Sequence, residues 1–367
     1  MVHARLLDAA SQTLVARSCV AKAACEVHHT IAPEPALVWA PRARRVNVLL
    51  GQRPDLLDAI AQAKTVALSA YVLPAENAVV RALAVAADRG ARVVVTLDGS
   101  PYFGKAGNGA PNPNANCAAV LRAHGATVRL SDAADPAVHL KAAVVDGRAF
   151  LDDRNWPASG HETVVETDDP AAVDAIAAAI DGHANSQPGL ALQKAAALAL
   201  EAATIRMAGG DHIDVATESF GTSIVSVALC ERARAGAAVR LAVNARVLAG
   251  DVHGRERAAL ARLRACGVAI EAVTTAEKFA IVGDVAWLGS ANATASEGDM
   301  LDWGVRSDDA RLAGTLETAF ACAWSRGVPV APPHAPKRAA AVADVRAVNS
   351  PTPSPSSSAT NAAVAAM

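Results

Sequence analysis

HLKAAVVDGRAFLDDRN, from His139 to Asn155, and AEKFAIVGDVAWLGSAN, from Ala276 to Asn292, are the two stretches whose comparison decides the fold. They align without a gap, with Lys141 on Lys278 and Asn155 on Asn292. Side chains alternate faces along a strand, so His139 and Lys141 share a face, while Asp146 points the other way or sits in a turn. Asp146-Gly147 is a hairpin signal, and the return strand brings Asn155 back towards the His/Lys pair. An imidazole, an ammonium and a carboxamide converging on one point suit a phosphoryl group. The histidine can attack phosphorus, and the cation and amide N–H groups can steady charge on the non-bridging oxygens.

Outward from the hairpins the chain alternates helices and strands. Val46–Leu50 is a short apolar run, and Pro54–Lys64 places Leu56, Leu57, Ile60 and Ala63 at helical spacing. A strand over Val66–Leu73, a helix over Ala78–Arg89 and a strand over Val93–Leu97 follow, which is the order of a βαβ unit. The order recurs as a helix over Leu190–Met207, a strand over Ile213–Ala216, a helix over Ser223–Ala235, a strand over Val239–Val243 and a helix over Arg255–Ala265. Arg89-Gly90-Ala91 answers Ala235-Gly236-Ala237, and His124-Gly125 answers Cys266-Gly267. A period this long means two copies of one domain and not a solenoid. The expected division is a helical extension over 1–43, repeat one over 44–187, repeat two over 188–330 and a disordered Pro/Ala/Ser-rich tail over 331–367. Asp98–Asn116, rich in Gly, Pro and Asn and holding Tyr102 and Phe103, reads as a loop at the end of a strand, either a substrate rim or a plain insertion.

Composition narrows the function classes. The 367 residues carry a formal net charge of −2 and a pI near 6.6, which offers no global attraction to nucleic acid. The six cysteines form no CxxC pair and no Cys/His cluster, so they read as buried free thiols of a reducing compartment. Charges interrupt the apolar N-terminal stretch, and no segment reaches the length of a membrane span. The expectation is a soluble, cytoplasmic protein.

The pattern H-x-K, four residues, D, then G-S-x-N resembles the signature of the phospholipase D superfamily, which includes cardiolipin and phosphatidylserine synthases and some nucleases. His139, Lys141, Asp146 and Asn155 match it in the first copy; Lys278, Gly289, Ser290 and Asn292 match it in the second. The resemblance covers roughly residues 44–328. It implies an α/β fold of two phospholipase D-like repeats, each a mixed, mostly parallel sheet flanked by helices, packed as a pseudo-dimer. In the family a glutamate beyond the tetrapeptide holds the histidine's second nitrogen; Glu162 fits that place, with Asp302 its shorter counterpart. A family strand of the form Y-x-L resembles Tyr71-Val72-Leu73, which Thr217-Glu218-Ser219 does not match.

The second copy departs from the pattern at its centre. Ala276 stands where the family has a second histidine, the acid and base of the reaction, and such help is worth about 10²–10⁴-fold. Asp152-Asp153 replace Gly-Ser in the first copy, setting carboxylates where the family binds phosphate. His161, beside Glu162, reads as a surface residue, and Trp156, Trp287 and Trp303 as core.

Two functions follow as expectations. The first is an enzyme: a phosphodiesterase or phosphatidyltransferase working through His139, with Lys141, Asn155, Lys278, Ser290 and Asn292 on the phosphate and Glu162 orienting the nucleophile. Its substrate would be a phosphodiester, by resemblance a phospholipid, with peripheral membrane contact, and a nuclease is disfavoured by the acidic balance. No metal or organic cofactor is implied, because lysines replace a divalent cation. The second is a pseudoenzyme that binds phosphate esters or serves as a scaffold. Whether the chain is an enzyme, and its oligomeric state, stay open at this level.

Overall fold

A computed structural model of the chain describes residues 46–50, 54–101, 112–132, 134–156, 163–207, 210–295 and 300–330. The expected N-terminal extension, the loop centre with Tyr102 and Phe103, His161, Glu162 and the tail lie outside the described residues.

The first half runs β1 (Val46–Leu50), α1 (Pro54–Gln62), β2 (Thr65–Ala70), α2 (Ala78–Asp88), β3 (Arg92–Leu97), α3 (Pro113–Ala123), β4 (Thr127–Leu130), β5 (Ala142–Val145), β6 (Arg148–Asp152), β7 (Thr163–Thr167) and α4 (Pro170–Ile180). The second runs β8 (Leu190–Gln193), α5 (Lys194–Ile205), β9 (His212–Thr217), α6 (Ile224–Arg234), β10 (Ala238–Asn244), α7 (Ala245–Ala249), α8 (Arg255–Ala265), β11 (Ala269–Val273), β12 (Phe279–Val282), β13 (Val285–Gly289), β14 (Leu301–Ser307), α9 (Ala310–Trp324) and β15 (Val328–Pro329). The strands form two mixed sheets, ordered β1-β7-β6-β5-β2-β3-β4 and β15-β11-β10-β9-β12-β13-β14-β8. The chain is thus mixed α/β, with two mixed sheets flanked by helices.

Two features differ from expectation. The sheets are not mostly parallel: among the described strands, parallel ladders are confined to β2-β3-β4 and to β9-β10-β11, and every other ladder is antiparallel. The hairpins β5-β6 and β12-β13 are the cause, since each lies antiparallel against the neighbouring β2 or β9. Leu190–Gln193 is also a strand, not the first turn of a helix, because it completes the sheet edge against β14. Leu-Ala-Leu fits either period, and the partner strand decides.

Local rules account for the element ends. Asn77 and Asp169 accept backbone N–H groups at the starts of α2 and α4, and Pro170 opens α4 where its missing N–H costs nothing. Asp146 and Gly147 both take positive φ, 46° and 82°, as a tight hairpin of this hand requires. The Asp146 carboxylate receives the Lys64 and Thr65 N–H groups at 2.8–3.2 Å, pinning the turn to the start of β2.

The core has three parts. Helices α1, α2 and α3 cover one face of the first sheet, and α5, α6 and α8 cover one face of the second. The remaining faces share a single apolar cluster with α4 and α9, in which Leu140, Leu151 and Ile176 lie beside Leu192, Leu288, Leu316 and Phe320. Each such fully buried side chain contributes roughly 1.5–3 kcal/mol. This cluster holds the ends of the two hairpins together.

Candidate active site

Both parallel strands that flank the hairpins, β2 and β9, end at one place, where α/β sheets usually bind ligands. There the segment before β5 meets the start of β14. His139 N–H donates to the Leu301 carbonyl at 3.0 Å, and Leu301 N–H donates to the Ala137 carbonyl at 2.9 Å. This short parallel bridge sets the His139 imidazole beside Asp302, whose carboxylate lies 2.8 Å from Nδ1. Asp302 is buried, and its other oxygen accepts from the Ser290 hydroxyl.

Lys141 follows His139 on the same face, as the strand period requires. Its ammonium lies 2.8 Å from Nδ1 and 2.9 Å from Nε2 of His139. With the Nδ1 proton committed to Asp302, Nε2 alone has a lone pair to accept from Lys141. The Tyr71 ring forms a wall of the site, its centroid 5.0 Å from that of His139 and 5.8 Å from the Lys141 nitrogen.

Lys278 reaches the same cluster from the second half. Its ammonium donates to the Ala276 carbonyl at 2.9 Å and across the halves to the Asp153 carbonyl at 3.2 Å. It also forms an ion pair with Glu218 at 3.0 Å. Glu218 follows β9, and the chain offers no mark for it except that it interrupts the triplet answering Tyr71-Val72-Leu73.

The electrostatics follow from burial. Desolvation lowers the pKa of His139, reinforced by Lys141 and only partly opposed by Asp302, so the ring is neutral at neutral pH. Desolvation also pulls Lys141 down to about 7, partly offset by Asp302. Burial alone would raise the carboxyls of Asp302 and Glu218. The charge and hydrogen bond of His139 overcome it for Asp302, and those of Lys278 overcome it for Glu218, so both lie below their ordinary values. Glu277, buried beside Asp153, is pushed up to about 7.

The remaining expected residues divide as follows. The Asn155 side-chain oxygen accepts from Val72 N–H at 3.2 Å, tying the segment after β6 to the Tyr71 segment. Asn292 is half-buried, and its side-chain oxygen has no hydrogen-bond partner among the described residues. Asp152 and Asp153 are 0% and 1% exposed, so these carboxylates are buried and do not lie on an open face. Arg154 N–H donates to the Asp152 carboxylate at 2.7 Å, and Trp303 Nε1 donates to the Asp152 carbonyl at 2.8 Å. Trp156, Trp287 and Trp303 are all buried.

The composition-rich stretch after β3 contributes Asn114, which is fully buried. It accepts from Leu73 N–H at 2.8 Å and donates to the Tyr71 and Asp98 carbonyls. It therefore holds the Tyr71 wall, from the first turn of a helix capped by Asn112. The Asn-Pro-Asn order is a readable helix start.

The fold is similar to that of phospholipase D-like proteins. Residues 56–183 match the family described as "Cardiolipin synthase, PLD-like domain". Among solved structures, phosphatidylserine synthase from Haemophilus influenzae Rd KW20 is similar with a TM-score of 0.59 at 10% identity, over 84% of this chain and 92% of that one. Polyphosphate kinase from Porphyromonas gingivalis aligns with a TM-score of 0.52 at 15% identity, over 78% of this chain and 50% of that one, so the chain spans half that enzyme's length. A comparison with curated protein sequences finds no significant match. The resemblance to the phospholipase D superfamily and its pseudo-dimeric α/β fold therefore holds.

Proposed function

We propose that the chain cleaves or transfers a phosphodiester through a phosphohistidine on His139. The observation that carries this reading is the His139–Asp302 pair at 2.8 Å, which commits Nδ1 and makes Nε2 the attacking atom once Lys141 turns from it to the phosphoryl oxygens. Nε2 attacks phosphorus, the bond to the leaving oxygen breaks, and that oxygen takes a proton from water. A hydroxyl then attacks the phosphohistidine and the phosphorus–nitrogen bond breaks. Lys141 and Lys278 attract the non-bridging oxygens, with Asn155 and Asn292 beside them and the buried Ser290 acting through Asp302, the acid that takes the orienting role expected of Glu162. By family likeness the substrate is a phospholipid phosphodiester; nucleic acid is disfavoured by the formal charge of −2.

A second reading, a phosphate-ester-binding or scaffold pseudoenzyme, has its own support. Lys278 is already neutralised by Glu218, and Ala276 supplies no acid or base. Incubation with bis(p-nitrophenyl) phosphate, an alkaline quench and mass spectrometry separate the two. An adduct on His139 that the His139→Ala variant lacks supports the enzyme. No adduct and no nitrophenolate release beyond that of His139→Ala rejects it.

Among the described residues no helix is long and apolar enough to cross a membrane. The expected cytoplasmic location rested in part on reading the cysteines as free thiols. Cys117 is free and buried, but Cys230 and Cys266 are joined, with Cα atoms 5.3 Å apart. That bond favours an oxidising compartment.

A further inference from the structure

The proposed reaction needs a group that takes the proton from the incoming hydroxyl, and Ala276 has none to offer. The acids around His139 differ in what they can still do. Asp302 is 1% exposed at its side chain and is occupied by His139 and Ser290. Asp152, Asp153 and Glu277 are buried. Glu218 alone among these keeps a side chain 37% open to solvent, where a water or alcohol can reach it.

Its position matches the vacancy. Lys278 Nζ lies 3.0 Å from the Glu218 carboxylate and 2.9 Å from the Ala276 carbonyl, so the acid and the residue lacking an imidazole border the same ammonium. Glu218 also feels the charges of Lys141 and His139. It is the first residue after β9, as Tyr71, which stands against His139, is the first after β2. The second half therefore presents an acid to the site where the first half presents an aromatic wall.

We propose, on the phosphohistidine reading above, that Glu218 is the base of the second half-reaction, replacing the group lost at Ala276. The acceptor oxygen attacks phosphorus while its proton passes to the Glu218 carboxylate. The phosphorus–nitrogen bond breaks with its electron pair returning to Nε2 of His139. Glu218 then releases the proton to solvent. Its pairing with Lys278 holds it ionised before the step. A phosphoryl oxygen arriving at Lys278 competes for that ammonium and frees the carboxylate. The opposite role is also physically simple: a carboxylate lying on a phosphate-binding lysine would block the site.

The two roles predict opposite effects of Glu218→Gln with bis(p-nitrophenyl) phosphate. If Glu218 is the base, the variant gives a burst of nitrophenolate close to one per protein and accumulates the His139 adduct. Steady turnover falls on the order of 10²-fold, the usual size of base assistance. Glu218→Asp, which keeps the carboxylate, accumulates less adduct than Glu218→Gln, and both melt as the wild type does. Equal or faster turnover of Glu218→Gln without adduct overturns the proposal and makes Glu218 a plug. If wild type and both variants all release nitrophenolate no faster than His139→Ala, the phosphohistidine reading fails first and takes this proposal with it.

Discussion

The carboxylate of Asp302 stands 2.8 Å from Nδ1 of His139, although 163 residues separate them in the chain. The contact joins the two halves: the histidine precedes β5 and the acid lies in β14, linked by backbone hydrogen bonds between His139, Ala137 and Leu301. An acid so placed fixes the tautomer and stabilises charge that develops on the ring, as the aspartate of a serine-protease triad does. Asp302→Asn is expected to lower kcat on phosphodiester probes by about 10²-fold or more with little change in KM. Steady-state kinetics check this, and an unchanged kcat would remove Asp302 from the mechanism.

The pH profile should carry the signature of the buried lysine. Burial holds His139 below its ordinary 6.5, so its ascending limb lies below that pH. Lys141 loses its proton near 7, so phosphate attraction declines above that point. The expected profile of kcat/KM is a bell with its falling side near pH 7. In Lys141→Arg, whose guanidinium stays charged, the falling side should move well to higher pH even if the maximum drops. Profiles of the two proteins measured side by side provide the test.

Glu201 offers a stability test remote from the site. It is 1% exposed on α5, and burial pushes its carboxyl up to about 8. The unfolded chain ionises near 4.5 while the folded chain keeps the proton. The folded state is therefore unpenalised below about 4.5 and loses stability as pH climbs from there to about 8. Glu201→Gln should match the wild type near pH 4.5 and exceed it at pH 8 by on the order of a few kcal/mol. Denaturant midpoints at the two pH values decide the matter.

The Cys230–Cys266 bond ties α6 to the end of α8 across a sequence separation of 36. Closing a loop of that size stabilises a fold by about 2–4 kcal/mol in the chain-entropy account. Non-reducing peptide mapping should recover the linked pair from protein folded under oxidising conditions. Replacing both cysteines by alanine should lower the melting temperature under those conditions.

Much of the fold is legible along the chain because it rests on local periods. The hairpins over His139–Asn155 and Ala276–Asn292 declare themselves by alternation and turn chemistry, and the helices over Ala78–Asp88 and Arg255–Ala265 by spacing and the glycines that follow them. Leu190–Gln193 reads as a helix start because its apolar run suits either period, and only the β14 partner makes it a strand. The direction of most ladders escapes sequence for the same reason: pairing partners are far apart, and nothing local records them.

By itself the sequence determined that there are two similar α/β halves, that His139 and Lys141 share a face, and that the second half has no histidine to answer them. Tertiary structure alone decided that Asp302, which the chain offers only as the second half's counterpart of Glu162, is the acid that holds His139, that the carboxylates of Asp152 and Asp153 are buried, and that Glu218 stands on Lys278 beside Ala276. The physical reason is reach. Backbone periodicity governs which way neighbouring side chains point, whereas charge, burial and proton position depend on groups brought together across the whole chain.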